Sequence, residues 1–337
     1  MRLSWRSLIG IALSAALLWL TLRDVAFGEV LHLLRRSNAG LWLACTVTAT
    51  AIFPLRARRW QAILAPLGPR LPVRDLWHAT AIGMMVNNVV PARAGELARA
   101  FSLTRTRPEV AFGAALGSLV VDRVFDGTMV LLLLLAATLD PRFPADATVL
   151  GWTAGRIAAA AATVLAIVLT GLVLLVLAPD LLGRWIERGV GMVSPATGRR
   201  LRQLVESFAA GVAVLRSATL VREVAWWTVL HWVTNAVAFW LGFRALGLEA
   251  PLSAAFFLQG IIAIGVAIPQ APGFFGVFEA AGKAGLALYL VPADAAVSWA
   301  IGFHLLSFIP ITVLGAWYLT RQRWRLRDLE TPTEPPR

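Results

Sequence analysis

The chain has 337 residues, 58% of them apolar, and a mean hydropathy of +0.71, which excludes a soluble globular enzyme and marks an integral membrane protein. Its formal net charge of +12 is carried almost wholly by arginine, with Lys283 the only lysine. In a membrane protein that excess points to cytoplasmic loops and anionic headgroups rather than nucleic acid, and the single Cys45 excludes a disulfide framework or a thiolate metal site.

In chain order, Arg2 and Arg6 precede an apolar run much as in a signal peptide. Leu22-Arg23-Asp24 offers no small-residue cleavage site, so the run is expected to stay as the first helix. Apolar runs occupy 7–22, 39–55, 76–91, 110–139, 155–178, 224–246, 254–269 and 295–320. Arginines crowd the segment after the second run (Arg56, Arg58, Arg59, Arg70, Arg74), the segment 179–222, and the tail from Arg321 to Arg327. The positive-inside rule places these regions and the N-terminus in the cytoplasm. Segments 140–154 and 247–251 carry little positive charge and are expected outside. Arg35 and Arg36 in the first loop fit this scheme less well.

Parity then constrains the rest. The segment 76–107 must begin and end on the cytoplasmic side, so it is expected to dip into the membrane as a hairpin with Pro91 to Gly95 at its tip. By the same count, 254–291 enters from outside, with Pro269-Gln270-Ala271-Pro272-Gly273 at its tip. The expected fold is all-α and polytopic: about eight hydrophobic helical segments, six full spans plus two opposed re-entrant broken-helix hairpins, the arrangement of inverted-repeat transporters. Eight complete spans satisfy the same charge count. Residues 1–320 form one transmembrane unit, 180–220 an amphipathic surface helix, and 321–337 a basic, then Pro-rich, cytoplasmic tail.

Three stretches carry chemistry. The first hairpin holds Asn87, Asn88, Pro91, Arg93, Gly95, Glu96 and Arg99 at membrane depth, where broken backbone and charge persist only against protein or a wet cavity. Glu96 lies within reach of both Arg93 and Arg99 if a helix starts at Ala94. The set can grip a phosphate in arginine forks, or form a self-neutralising network. Asn87 and Asn88 can line that headgroup site or satisfy backbone freed by the break. In the next run, Asp122 and Asp126 share a helix face, with Arg123 a quarter turn away. They can balance the arginines or take up protons. The second hairpin has Pro269, Pro272, Gly273 and Gly276 at its turn, then Glu279 and Lys283, expected to pair at four-residue spacing. His231, Asn235 and His304 are expected to hydrogen-bond within the bundle. The sequence presents no metal-ligand pattern, phosphate loop or serine elbow, and no metal or cofactor is expected.

In Asn88–Arg99, Asp122–Asp126 and Ala271–Glu279 the chain resembles the lysylphosphatidylglycerol synthase transmembrane-region family, also described as flippase-like. The likeness covers about 8–320. The third stretch departs from the family's paired glycines after the proline, having Gly273-Phe274-Phe275-Gly276 and so one glycine fewer. The resemblance implies a multi-pass protein of the bacterial inner membrane, both termini cytoplasmic, that moves an anionic or zwitterionic phospholipid or related lipid. Larger members carry a soluble aminoacyl-transferase domain that is missing here, so lysyl transfer is not expected. Group transfer with Glu96 or Asp122 as base, or a scaffolding role beside lipid-synthesis proteins, are the other functions open to such a chain.

Overall fold

The computed structural model describes residues 5–23, 25–90, 94–144, 148–149, 152–153, isolated positions between 155 and 188, 213–267 and 272–322. The expected surface helix in 180–220 and the Pro-rich tail therefore fall largely outside the described residues. Among the described residues regular structure is helical apart from an antiparallel pairing of Thr148–Val149 with Trp152–Thr153. The helices are α1 (Trp5–Leu22), α2 (Phe27–Arg36), α3 (Ala39–Leu64), α4 (Val73–Val89), α5 (Gly95–Thr106), α6 (Phe112–Ala137), α7 (Ala218–Ala245), α8 (Leu252–Ala267), α9 (Val277–Ala287) and α10 (Ala293–Arg321). This is the all-α polytopic architecture expected of apolar runs in lipid, where helices satisfy their own backbone.

Both helix breaks occur where proline and glycine place them. α4 and α5 fold back on each other across 90–94, and α8 and α9 do so across 268–276. At 1.5 Å per residue α5 and α9 extend about 18 and 16 Å, short of a hydrocarbon core of about 30 Å. Two elements differ from the sequence reading. The first loop contains a helix of its own, α2, whose Val30 packs beside Val25 and Val297 while Arg35 and Arg36 stay exposed. More consequentially, α3 does not end at residue 55. It continues through Pro54 to Leu64, because Phe53, Ala57, Trp60 and Leu64 keep the helical period and are all buried.

The second hairpin's turn needs left-handed backbone at three places, with φ of 71° at Gly273, 62° at Phe274 and 87° at Gly276. Phe274 stands where the resembled family has a second glycine, and an L side chain there costs about 1–2 kcal/mol. Gly276 has a second reason to lack a side chain: a Cβ would lie 2.3 Å from the Ser14 carbonyl of α1.

Two apolar cores lie toward opposite ends of the bundle. One joins Trp42, Cys45 and Ala49 of α3 to Val130 and Leu134 of α6, Phe239 and Phe243 of α7, and Trp299 of α10. The other joins Trp60 and Ile63 of α3 to Leu76 of α4, Leu103 of α5, Leu119 of α6 and Val224 of α7. Between them, near the middle of α6 and α7, the bundle turns polar.

Candidate functional site

The polar layer is built on α6. Asp122 and Asp126, one turn apart, are 1% and 6% exposed. Arg59 of α3, fully buried, lies across both, its Nη2 2.6 Å from Asp122 Oδ1 and its Nη1 2.7 Å from Asp126 Oδ1. Arg99 of α5 donates to Asp122 Oδ2 at 3.0 Å and stacks on Trp60, 4.0 Å from the ring centroid. Arg56 of α3 donates to Asp126 Oδ2 at 3.4 Å. From α7, Trp232 Nε1 donates to Asp126 Oδ1 at 2.9 Å. Arg123 reaches both Asp126, at 3.4 Å, and Glu96 at the start of α5. Four guanidiniums (Arg56, Arg59, Arg99 and Arg123) thus meet three carboxylates, a surplus of one positive charge in this layer among the described residues.

A cavity of about 740 Å³ opens beside this network, within the size range of small-ligand sites. Arg56, Glu96, Arg123 and Asp126 line it, whereas Arg59, Arg99 and Asp122 stand behind the wall. Most of the lining is apolar, including Phe53, Phe274, Phe278, Phe303 and Phe308. Val120 and Ile264 line it and are also 41% and 52% exposed, so the mouth lies between apolar surface side chains.

Several expected sites are redistributed. Arg93, Pro91 and Pro269 lie outside the described residues. Arg99, expected either at a headgroup or paired with internal carboxylates, meets Asp122 and Trp60 and does not line the cavity. Glu96 pairs with Arg123 and not with Arg99, because α5 packs against α6 and brings Arg123 to it. Asn87 Oδ1 accepts from Gly95 N at 2.8 Å, supplying α5's first turn with an acceptor across the break. Asn88 Nδ2 donates to Thr312 Oγ1 of α10 at 2.7 Å, and both asparagines also reach the cavity.

The expected Glu279–Lys283 pair does not form. Lys283 Nζ donates to the Thr21 carbonyl at 2.8 Å, at the C-terminal end of α1, where a helix favours a cation. Glu279 Oε2 accepts from Gly276 N at 2.6 Å, capping α9, and its Oε1 lies 2.6 Å from His304 Nδ1. His304 Nε2 lies 2.8 Å from the Gly273 carbonyl, which can only accept, so Nε2 carries a proton. The Nδ1–Oε1 contact then requires one more proton, shared between imidazole and carboxyl. Phe275 and Phe278 cover the His304 ring. This latch ties the second turn to α10. Glu279→Gln can reproduce every contact without the shared proton, so it is expected to keep the wild-type melting temperature to within a few degrees. Glu279→Leu orphans the buried imidazole and the Gly276 N–H, at about 1–3 kcal/mol for each lost partner. Thermal unfolding of the two purified variants checks this; equal losses in both would refute the latch.

Sequence reasoning missed Arg56 and Arg59, assigned to a cytoplasmic loop on charge alone. The buried Phe53–Ala57–Trp60–Leu64 stripe running past them was the available signal. Gln259, whose Oε1 accepts from Asn235 Nδ2 at 2.7 Å, was also missed, having no charge or motif to mark it.

The family model described as the lysylphosphatidylglycerol synthase TM region matches residues 7–315, and the chain belongs to this family. The chain is also similar to a protein of Haloferax volcanii named glycosyltransferase AglD, 36% identical over 98 residues. That match covers 29% of this chain and 16% of the relative's length.

Proposed function

We propose that this member of the lysylphosphatidylglycerol synthase TM-region family moves a phospholipid or related lipid across the bacterial inner membrane, with both termini cytoplasmic. The observation that carries the reading is the cavity: an arginine-bearing wall at mid-bundle depth, an aromatic interior, and a mouth between exposed apolar side chains. An amphipathic ligand can enter sideways, leaving its tails in lipid while its headgroup meets charge. Arg123, 45% exposed at its side chain, and Arg56 are the guanidiniums that reach the cavity, and the surplus positive charge favours an anionic phosphate. Arg59, Arg99 and Asp122 hold that wall in place. The two short hairpins, entering from opposite faces, supply elements that can rearrange around a fixed site.

Reconstitution with labelled phospholipid tests the proposal. Arg123→Ala is expected to slow lipid movement by about tenfold or more, the worth of one charge-assisted contact. Arg70→Ala, which removes only an exposed pair with Glu223, is expected to match wild type. Wild-type movement no faster than that of Arg123→Ala would sink the transport reading.

Group transfer onto a lipid is a second reading, favoured by the name of the Haloferax relative. It ranks lower because both candidate bases are held by guanidiniums, Glu96 by Arg123 and Asp122 by Arg59 and Arg99. Product formed by the purified chain from lipid and an activated donor would reverse that order.

A further inference from the structure

The latch between the second hairpin and α10 holds a proton that the arginine network cannot. Glu279 Oε2 is committed to accepting from Gly276 N at 2.6 Å, and His304 Nε2 to donating to the Gly273 carbonyl at 2.8 Å. The remaining contact, His304 Nδ1 to Glu279 Oε1 at 2.6 Å, holds only while one proton lies in it. Without that proton two lone pairs face each other and the contact must open. The pair is neutral with the proton and carries one negative charge without it. By contrast, the aspartates of α6 are already engaged. Asp126 accepts from Arg56, Arg59, Arg123 and Trp232, and Asp122 lies against Arg59 and Arg99. A proton on either would leave buried guanidiniums facing a neutral acid.

The surroundings of the pair are otherwise poor in charge. α8 has no ionisable residue, and Lys283 of α9 is held by the Thr21 carbonyl of α1. On α10, Asp294, Tyr318 and Arg321 lie about 15 Å or more from His304 along the helix. α4 carries Arg74, Asp75 and His78 only in its first two turns. Glu29, His32, Arg35 and Arg36 of α2, Arg58 of α3 and Arg244 of α7 are exposed. The charged and titratable groups that share a space with the pair are those of the cavity: Arg56, Glu96, Arg123, Asp126 and His231.

That shared space couples the proton to the cavity's occupant. His304 lines the cavity, with Glu279 behind it. Both ends of the turn hang on the pair, Gly273 by its carbonyl and Gly276 by its N–H, and Phe274 between them is part of the cavity wall. Losing the proton therefore loosens a piece of that wall. The surplus positive charge of the guanidinium layer favours loss of the proton, and an anion in the cavity cancels that surplus. An anionic ligand and the proton thus each raise the other's affinity, since linkage is reciprocal.

We infer that Glu279 and His304 form a proton-binding site, and that the protein carries one proton with each anionic lipid. This deepens the lipid reading above and rests on it.

Proteoliposomes with labelled phosphatidylglycerol and a clamped membrane potential test the coupling. A pH gradient imposed on wild type, with no starting lipid gradient, is expected to shift the lipid toward the leaflet on the alkaline side. One proton per lipid gives a shift of up to about tenfold per pH unit. Protein-free vesicles set the background. Glu279→Gln keeps the contacts of the latch without the proton, and is expected to show no shift above that background. Binding gives a readout that needs no movement. In weakly buffered detergent solution over a pH series, wild type is expected to take up as much as one proton per chain when phosphatidylglycerol binds, and Glu279→Gln none. Wild type that moves the lipid without responding to the gradient, or binds it without proton uptake at any pH, would overturn the proton site. So would Glu279→Gln that responds, or takes up protons, as wild type does. A folded wild-type protein that neither binds nor moves the lipid would instead overturn the lipid reading itself.

Discussion

Arg59→Leu is expected to destabilise the protein by about 3–5 kcal/mol, the cost of stranding buried carboxylates. Arg59 is fully buried and bridges Asp122 and Asp126, which lie on one face of α6 and repel each other without it. Arg99 would remain 3.0 Å from Asp122, and Arg56 3.4 Å from Asp126 and 3.6 Å from Asp122, all longer contacts than the two of 2.6 and 2.7 Å that Arg59 makes. Unfolding of the detergent-solubilised protein, followed by fluorescence of its 14 tryptophans, reads the loss directly. Adding Asp122→Asn and Asp126→Asn to Arg59→Leu should deepen the loss and not recover it, because Arg99 and Arg56 are then buried without their carboxylates. A single variant within about 1 kcal/mol of wild type would show that the network is not what joins the two apolar cores.

Gly95→Ala should damage the first hairpin at its closest crossing. A Cβ on Gly95 would lie 2.2 Å from the Gly83 carbonyl oxygen and 2.4 Å from Asn87 Cγ. Gly83 is equally constrained, its own added Cβ falling 2.7 Å from the Gly95 carbonyl. Backbone cannot step aside as a long side chain can, so α4 and α5 must separate, at about 1–3 kcal/mol or more. Separation also breaks the Asn87–Gly95 bond and draws Glu96 away from Arg123. Lipid movement should therefore fall further than stability does. Gly113→Ala on α6, where an added Cβ meets nothing within 4 Å, is the matched control and should leave both nearly unchanged. Similar melting temperatures and transport rates for the two variants would refute the tight crossing.

These two residues also show how far a linear reading reaches. Gly95 stood out in the sequence as part of a break, because proline, glycine and charge at membrane depth violate the rule that lipid-exposed backbone stays helical. Its actual duty, letting two backbones touch, depends on Gly83, twelve residues earlier and unremarkable in its apolar run. Arg59 was visible only as one more cation in a basic cluster. Charge counting treats arginines after a hydrophobic run as a loop, and a helix that continues through Pro54 defeats that assumption. Phe274 followed a different course: its departure from a glycine pattern was legible in sequence, and the structure answers it with a left-handed backbone at φ 62°.

By itself the sequence determined the membrane class, the all-α architecture, both helix breaks and the buried charges of α5, α6 and α9 though not those of α3, since each is set by local hydropathy, backbone freedom or the cost of burying an ion. Its family likeness needed only motif residues in order. Balance of the aspartates by the first hairpin's arginines was one of the sequence's alternatives; which charges actually pair was decided by the tertiary structure. Glu96 meets Arg123, Arg99 meets Asp122, Glu279 meets His304, and Lys283 meets the end of α1, because helix packing determines which charges come within a few ångströms. Coulomb attraction and hydrogen bonding act through space and take no account of sequence spacing. Proximity along one helix suggested Glu279 with Lys283, and the bundle offered each a nearer partner.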